Sequence, residues 1–315
     1  MEKKIVMAVD LGGTQIKLGL IHQSEILVTS QMDAQSHEGL GERLPEIAAC
    51  FNNLLDQAGL SISNVIGMGI AVPGIVDSVH KKVLSINKKY SDVIELDLSR
   101  WVSETWNLPL FIENDTRSAL LGEWKYGKGS GCNNLVLMTL GTGIGTSAVI
   151  EGNLLRGRHF QAGILGGHFT VNINGDLCNC GNYGCAEAEA STWNLYELAK
   201  KHPGFSKSRL SQTEILDFRT IFQYAERGDE LAKTIRNKSL EVWSACAVNL
   251  IHAYDPDLLI LGGGIMGSKD IIAPFIQSKI NQHAWTAWGK VQVEAASFTN
   301  TAALLGVSSL AYNFK

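Results

Sequence analysis

Short apolar runs that stop at glycine or proline organise the chain. Ile5-Val6-Met7-Ala8-Val9 ends at Asp10 and a pair of glycines, so residues 4–10 are predicted as a buried strand. Residues 15–22 and 25–31 follow as short strands around the turn Gln23-Ser24-Glu25. From Leu40 to Ala58 the spacing becomes helical, with Leu44, Ile47, Ala48, Phe51, Leu54 and Leu55 on one stripe. Val65–Val72 reads as a second buried strand stopped by Pro73-Gly74, residues 98–106 as a helix, 108–112 as a strand and 116–124 as a helix.

The pattern then begins again. Residues 134–140 predict a strand that ends in a glycine turn, and 146–150 return antiparallel to it. An irregular stretch over 151–185 leads to helices at about 187–201 and 228–254, a strand at 257–261 that runs into Gly262-Gly263-Gly264, and a closing helix from Thr301 to Tyr312. No fixed short period marks a solenoid. Two α/β domains with a cleft between them are expected, divided at 117/118 within a boundary zone of 115–125, with residues 301–315 packing back on the first domain.

The 315 residues suit two moderate domains, and 45% hydrophobic with 18% charged residues is ordinary for a chain with a real core. A net charge of -4 offers phosphates no basic surface, so no nucleic-acid partner is expected. No apolar run is long enough to span a bilayer, so no membrane partner is expected either. Six cysteines in a chain of this length do not make a disulfide scaffold. Cys50, Cys132 and Cys246 are expected as buried single thiols, and the cytoplasm as the compartment.

The other three cysteines carry chemistry. Cys178, Cys180 and Cys185 follow His168 within eighteen residues, and Zn²⁺ takes four such ligands tetrahedrally. Four protein ligands close the shell, so this zinc is structural, and Glu187 stands two residues past the last thiol. Two glycine turns, Asp10-Leu11-Gly12-Gly13-Thr14 with Lys17 beyond it and Gly141-Thr142-Gly143-Ile144-Gly145, can bring backbone N–H groups to an anion. Asp10 can hold Mg²⁺ or its waters. Neither turn is a P-loop or a dinucleotide fingerprint, and each alone equally describes an ordinary hairpin. Gly262-Gly263-Gly264 can leave bare backbone for a flat ring such as adenine, or can be a simple strand-to-helix turn.

Taken in order, Asp10-x-Gly12-Gly13-Thr14, Val72-Pro73-Gly74, Glu113-Asn114-Asp115, Gly141-Thr142-Gly143-x-Gly145, Gly167-His168 with Cys178-x-Cys180-Gly-x-x-Gly-Cys185-x-Glu187, and Asp255-Pro256 with Gly262-Gly263-Gly264 resemble the ROK family of sugar kinases and their repressor relatives, in the actin-like ATPase superfamily. The resemblance runs essentially end to end. It implies two actin-like (ribonuclease H-like) domains, ATP held by the glycine turns, Mg²⁺ near Asp10, and transfer of the γ-phosphoryl group to a hexose hydroxyl, often the 6-hydroxyl.

By residue type Asp115 reads as a helix N-cap; the resemblance makes it the general base. It also implies sugar contacts for Pro73, Gly74, Asn87, Asn114, His168 and Glu187. It suggests a homodimer or homotetramer. Family repressors carry a DNA-binding segment before the first glycine turn, and with Asp10 so near the start none is expected here.

Two positions depart from the family pattern. Leu165-Gly166-Gly167-His168 stands where the kinases usually have Glu-x-Gly-His, so a sugar-contacting glutamate is a leucine that accepts no hydrogen bond. The substrate then differs from glucose at that edge, another residue substitutes, or glucose binds weakly; a kinase for another sugar, such as an N-acetylhexosamine, allose or fructose, is the alternative reading. A non-catalytic sugar-binding ROK protein is the reading from another class; it has no need of both Asp10 and Asp115. Arg117 replaces a small polar residue and is expected on the helix surface, with phosphate or carboxylate binding as the other reading.

Overall fold

A computed structural model describes residues 3–312. In chain order the strands and helices are β1 Ile5–Leu11, β2 Gln15–His22, β3 Glu25–Asp33, α1 Leu44–Ala58, β4 Val65–Val72, β5 Ile75–Asp77, β6 Lys82–Ser85, α2 Leu98–Trp106, β7 Leu110–Asn114 and α3 Asp115–Tyr126. They continue as β8 Leu135–Leu140, β9 Ile144–Ile150, β10 Asn153–Leu154, α4 Ala186–Ala190, α5 Leu195–Lys200, α6 Phe218–Glu226, α7 Glu230–Tyr254, β11 Leu258–Gly262, α8 Lys269–His283, β12 Gln292–Ala295 and α9 Ala302–Tyr312.

The chain forms two compact units. Of the described residues, the first comprises 3–130, 156–162 and 300–312, and the second 131–155 and 163–299. The expected division at 117/118 therefore falls inside α3, and the first unit runs on to Ser130. The reason is packing. α3 lies against α9 so closely that a Cβ on Gly122 would strike the Ala302 carbonyl, and one on Gly306 the Ser118 carbonyl. A helix seated that tightly on the closing helix belongs to the unit that helix completes.

The first unit is built on a sheet of order β3-β2-β1-β4-β7. β1, β2 and β3 are antiparallel neighbours, and β1, β4 and β7 are parallel. Every residue of β4 but Ile66 is buried, as a strand covered on both faces requires. α1 turns Ile47, Phe51, Leu54 and Leu55 inward, and α9 packs on β1, β2, β4 and β7. The register aligns Asp10 with Ala71, Ala71 with Glu113 and Val72 with Asn114. The carboxyl ends of three parallel strands thus stand together, which is where open α/β sheets carry their ligands.

The second unit repeats the plan with order β10-β9-β8-β11-β12, antiparallel through the first three and parallel through the last three. α7 is its central helix, touching α4, α6 and α8. Trp243 on α7 is fully buried, packs against Phe218 and donates from Nε1 to the Ala190 carbonyl at 2.8 Å. The helix expected over 187–201 is broken into α4, a 3₁₀ turn at 192–194 and α5. Among the three scattered cysteines, Cys246 is buried as expected, while Cys50 and Cys132 are only partly covered. No described helix is long and apolar enough to cross a membrane.

Gly306→Val drives a branched side chain into the backbone of α3. It should lower the unfolding free energy by about 3 kcal/mol or more, read by denaturant titration; a change within about 0.5 kcal/mol would contradict this account of the helix pair.

Candidate functional site

In the first unit the chemistry collects at the carboxyl ends of β1, β4 and β7. Asn114, not Asp115, caps α3: its Oδ1 accepts from the backbone N–H of Thr116 and Arg117, each at 3.1 Å, and from Thr116 Oγ1 at 2.7 Å. Its Nδ2 donates to the Gly74 carbonyl and to Asp115 Oδ1, both at 2.9 Å. Asn114 therefore fixes Pro73-Gly74 and Asp115 with a fully engaged amide. Asp115 Oδ1 accepts a second bond from the Thr116 N–H at 2.8 Å. Oδ2 has no partner among the described residues, so it is the oxygen left for an incoming group.

Burial is the main cause that pushes the Asp115 carboxyl up to about 6, and the negative charge of Asp10 adds to it; the Thr116 and Asn114 bonds and the Lys89 charge oppose the rise. Asp10 is also raised by burial, against the pull of Lys17. Lys17 Nζ is 3.8 Å from Asp10 Oδ2 and donates to the Asn300 carbonyl at 3.2 Å. The Gly12-Gly13-Thr14 turn is held by Tyr90, whose hydroxyl donates to the Gly12 carbonyl at 2.6 Å, and by Ser36, whose hydroxyl donates to the Gly13 carbonyl at 2.8 Å. Thr14 and Asn87 are exposed.

Arg117 corrects the surface expectation. It is fully buried, 3.4 Å from Glu113 Oε1, and its Nη2 donates to the carbonyls of Phe160 and Ala162 at 3.0 and 2.8 Å. Arg156 Nε reaches the other Glu113 oxygen at 2.7 Å. Glu113, likewise fully buried, also accepts from the Asn114 N–H at 2.9 Å. No residue type in the sequence distinguishes this arginine from a solvated one; only the partners do.

In the second unit the turn Gly141-Thr142-Gly143 closes on itself through a Gly141 N–H to Gly143 carbonyl bond of 3.0 Å. The carbonyls of Gly141 and Thr142 accept from the N–H groups of Thr192 and Trp193. Glu187 Oε2 accepts from the Ile144 N–H at 2.9 Å, and its Oε1 faces Asn179 Nδ2 at 3.5 Å. Gly262 ends β11 beside Thr139 of β8. Gly263, at φ 91°, leaves no room for a Cβ against Leu140, whereas Gly264 faces open space. A cavity of about 310 Å³ lies there, lined by Gly264, Ile265 and Ser268 and by Arg219, Phe222 and Glu226 of α6. The sequence reading missed α6, and with it this wall.

A ring nitrogen of His168 and the sulfurs of Cys178, Cys180 and Cys185 all lie within 4.8 Å of one another. The Cys178 sulfur is 3.6 Å from His168 Nδ1, and the Cys180 and Cys185 sulfurs are 3.7 Å apart. A tetrahedron with Zn–S near about 2.3 Å has sulfur–sulfur edges of about 3.8 Å, so the four atoms fit a structural zinc. His168 would bind through Nδ1, leaving Nε2 on the other side of the ring. Leu165 precedes this cluster at the start of a 3₁₀ turn over 166–168 and is 40% exposed.

The ROK family profile matches residues 6–313. The chain belongs to the ROK family. The glucokinase of Thermotoga maritima is 29% identical over 317 residues, covering 98% of both chains. The xylose repressor of Bacillus spizizenii is 27% identical over 281 residues, covering 87% of this chain and 69% of the repressor. The crystal structure of a ROK family glucokinase from Streptomyces griseus, in complex with glucose and AMPPNP, superposes with a TM-score of 0.82 at 28% identity, covering 98% of this chain and all of that one. The two-domain α/β ROK kinase fold and its place among glucokinase-like proteins follow, while the family holds repressors as well as kinases.

Metal analysis of this ROK protein, purified without added chelator, should return about one zinc per chain. Cys185→Ser should lose it and open the 160–190 loop to limited proteolysis. A full zinc complement in the Cys185→Ser protein would remove the cluster as the binding site.

Proposed function

We propose that the chain transfers the γ-phosphoryl group of ATP to a hexose hydroxyl, taken as the 6-hydroxyl, with Asp115 as the general base. The observation that carries this is the Asp115 carboxylate itself: one oxygen locked by two donors, the other open, and a proton affinity lifted to about 6. A base with that affinity receives a hydroxyl proton near neutral pH more readily than an ordinary carboxylate. As Oδ2 takes the proton, the sugar oxygen bonds to the γ-phosphorus and the bond to the β–γ bridging oxygen breaks, releasing ADP. A sensor has no need of such a base, which weighs against the non-catalytic reading.

Asp10 would hold Mg²⁺: it is a half-buried carboxylate whose charge is costly until a cation compensates it. Mg²⁺, when bound, neutralises charge on the nucleotide's phosphate oxygens. In the first unit the Gly13 and Thr14 N–H groups would be donors for phosphate; in the second, the Thr142 and Gly143 N–H groups would be such donors, and the cavity beside Gly264 would take the adenine. Pro73-Gly74, tied to Asn114, would form a floor for the sugar. Leu165 favours an acceptor other than glucose, since it presents an aliphatic edge where the family's kinases present a carboxylate.

A panel of glucose, mannose, fructose, allose, N-acetylglucosamine and N-acetylmannosamine with ATP and Mg²⁺ tests the reading. At least one sugar should be phosphorylated, and Asp115→Asn should lose about 10²–10⁴ in kcat while still binding it. Equal rates would remove Asp115 from the mechanism, and silence across the panel would favour the binding-protein reading.

In the wild type kcat/KM should fall about tenfold per pH unit below about pH 6, where Asp115 becomes protonated. The same shift sets the sign for stability. Because folding raises the Asp115 pKa, its stabilising contribution is complete below the unfolded value and is lost as pH rises through about 6. Asp115→Asn should therefore melt no lower than wild type at pH 7.5.

A further inference from the structure

We propose that Lys89 and the Gly12–Gly13 turn form a phosphate-binding point in the first unit, at which Lys89 Nζ contacts the phosphoryl group being transferred. The kinase reading enters only in saying which phosphate this is; the anion site stands on its own residues.

Place comes first. The Lys89 side chain lies across the turn, so that a Cβ built on Gly13 would sit 2.6 Å from its Cε and 2.8 Å from its Nζ. With no Cβ on Gly13, the Lys89 ammonium group can lie over the turn, whose Gly12 N–H is taken by the Asp10 carbonyl and whose Gly13 and Thr14 N–H groups are the donors it would join. A fixed cation beside such N–H groups is the donor set that phosphate oxygens prefer.

Lys89 is also held there at a cost. Lys88 at φ 58° and Tyr90 at φ 46° both occupy the left-handed region, which residues with side chains rarely adopt. Tyr90 is fully buried; its hydroxyl grips the Gly12 carbonyl and its N–H donates to the Ser36 carbonyl at 2.6 Å. Ser36 in turn grips the Gly13 carbonyl. The segment that carries Lys89 and the turn it crosses are thus tied together through Tyr90 and Ser36. Backbone strain persists where surrounding contacts over-determine it, and it concentrates at functional positions.

Charge completes the argument. Lys89 makes no ion pair or hydrogen bond among the described residues, although its field reaches Asp115. Lys17, the lysine that the sequence pattern puts forward, is already bonded to the Asn300 carbonyl. Among the described residues, Lys89 is therefore a cation at this turn whose charge is uncommitted. A neutral sugar hydroxyl does not call for an ammonium group; a phosphoryl group gathering charge does.

The test compares wild type, Lys89→Met, Lys89→Arg and, as a control for a neighbouring exposed lysine, Lys88→Met. Two readouts are used: steady-state kinetics with the best sugar of the panel, and calorimetric titration with inorganic tripolyphosphate. Lys89→Met should lower kcat about 10²-fold and weaken tripolyphosphate at least about tenfold, with the sugar dissociation constant unchanged. Lys89→Arg should recover most of the loss, and Lys88→Met should match wild type.

Unchanged kcat and tripolyphosphate affinity in Lys89→Met would overturn the proposal. So would a loss confined to sugar binding, which would assign Lys89 to the acceptor. If the wild type phosphorylates no sugar, the kinase reading falls and the titration alone decides: a tenfold loss keeps the phosphate point, and equal affinities remove it.

Discussion

The first unit depends on holding one carboxylate dry enough to take up a proton yet fixed in one orientation. A carboxylate in water has neither property. Burial supplies the first, and Asp10 strengthens it through like-charge repulsion. The second comes from the start of α3, where the Thr116 N–H and the Asn114 amide converge on Oδ1. A helix start is suited to this because its first N–H groups have no partner within the helix. Asn114 satisfies two of them and Asp115 a third contact, so the cap and the proposed base are consecutive residues with separate work.

Beneath that helix start lies a second charged arrangement with no solvent to share it. Glu113 and Arg117 are both fully buried, one at the end of β7 and the other one turn into α3. A buried ion pair gives little net stability over apolar packing, but loss of one partner costs about 3–5 kcal/mol because the other is left uncompensated. The pair is therefore better understood as a register device. Through Arg117 Nη2 and Arg156 it ties the 156–162 segment to the strand end that carries Asn114 and Asp115. Those residues are the ones that leave the second unit's stretch of chain and return to the first. A lysine at 117 could not serve, since it lacks the planar fork that meets a carboxylate and two carbonyls at once.

The strands were legible because their apolar runs are short, β-branched and stopped by glycine or proline; Val65–Val72 has the expected limits to the residue. The glycine turns and the Cys/His cluster were legible because their chemistry is local in sequence. Several things were not, the two-residue and three-residue strands β10 and β5 among them. α8 carries Pro274 in its interior, which reads as a break, although Ile272, Ile276 and Ile280 make one buried stripe. β12 is a half-buried edge strand of four residues, too short for an alternating pattern to stand out. α6 is capped by Asp217 but follows a run of short turns that blurs its start. Lys89 has no motif at all: its place comes from the left-handed residues on either side of it and from Tyr90 reaching back 78 positions to Gly12. Arg117 was visible as a departure and misplaced, because burial of an arginine is decided by partners 39 to 45 residues away.

In the second unit the Cys/His cluster is coupled to a glycine turn through one short helix. The cluster sits in a loop whose own helix, α4, begins at Ala186, directly after Cys185. Glu187 is then fixed in the first turn of that helix, and its carboxylate accepts the Ile144 N–H at the base of the Gly141–Gly143 turn. A Cβ at Gly143 would stand 2.5 Å from that carboxylate, so a side chain there would displace Glu187 from the turn. The metal site, the glutamate and the turn are one mechanical chain within the unit. Without the cluster, α4 would lose its anchor and Glu187 its fixed position, and the turn would keep only the Thr192 and Trp193 contacts, which come from the same stretch of chain. A cluster of one histidine and three cysteines can in this way set the geometry of a turn through Glu187, two residues beyond its last cysteine.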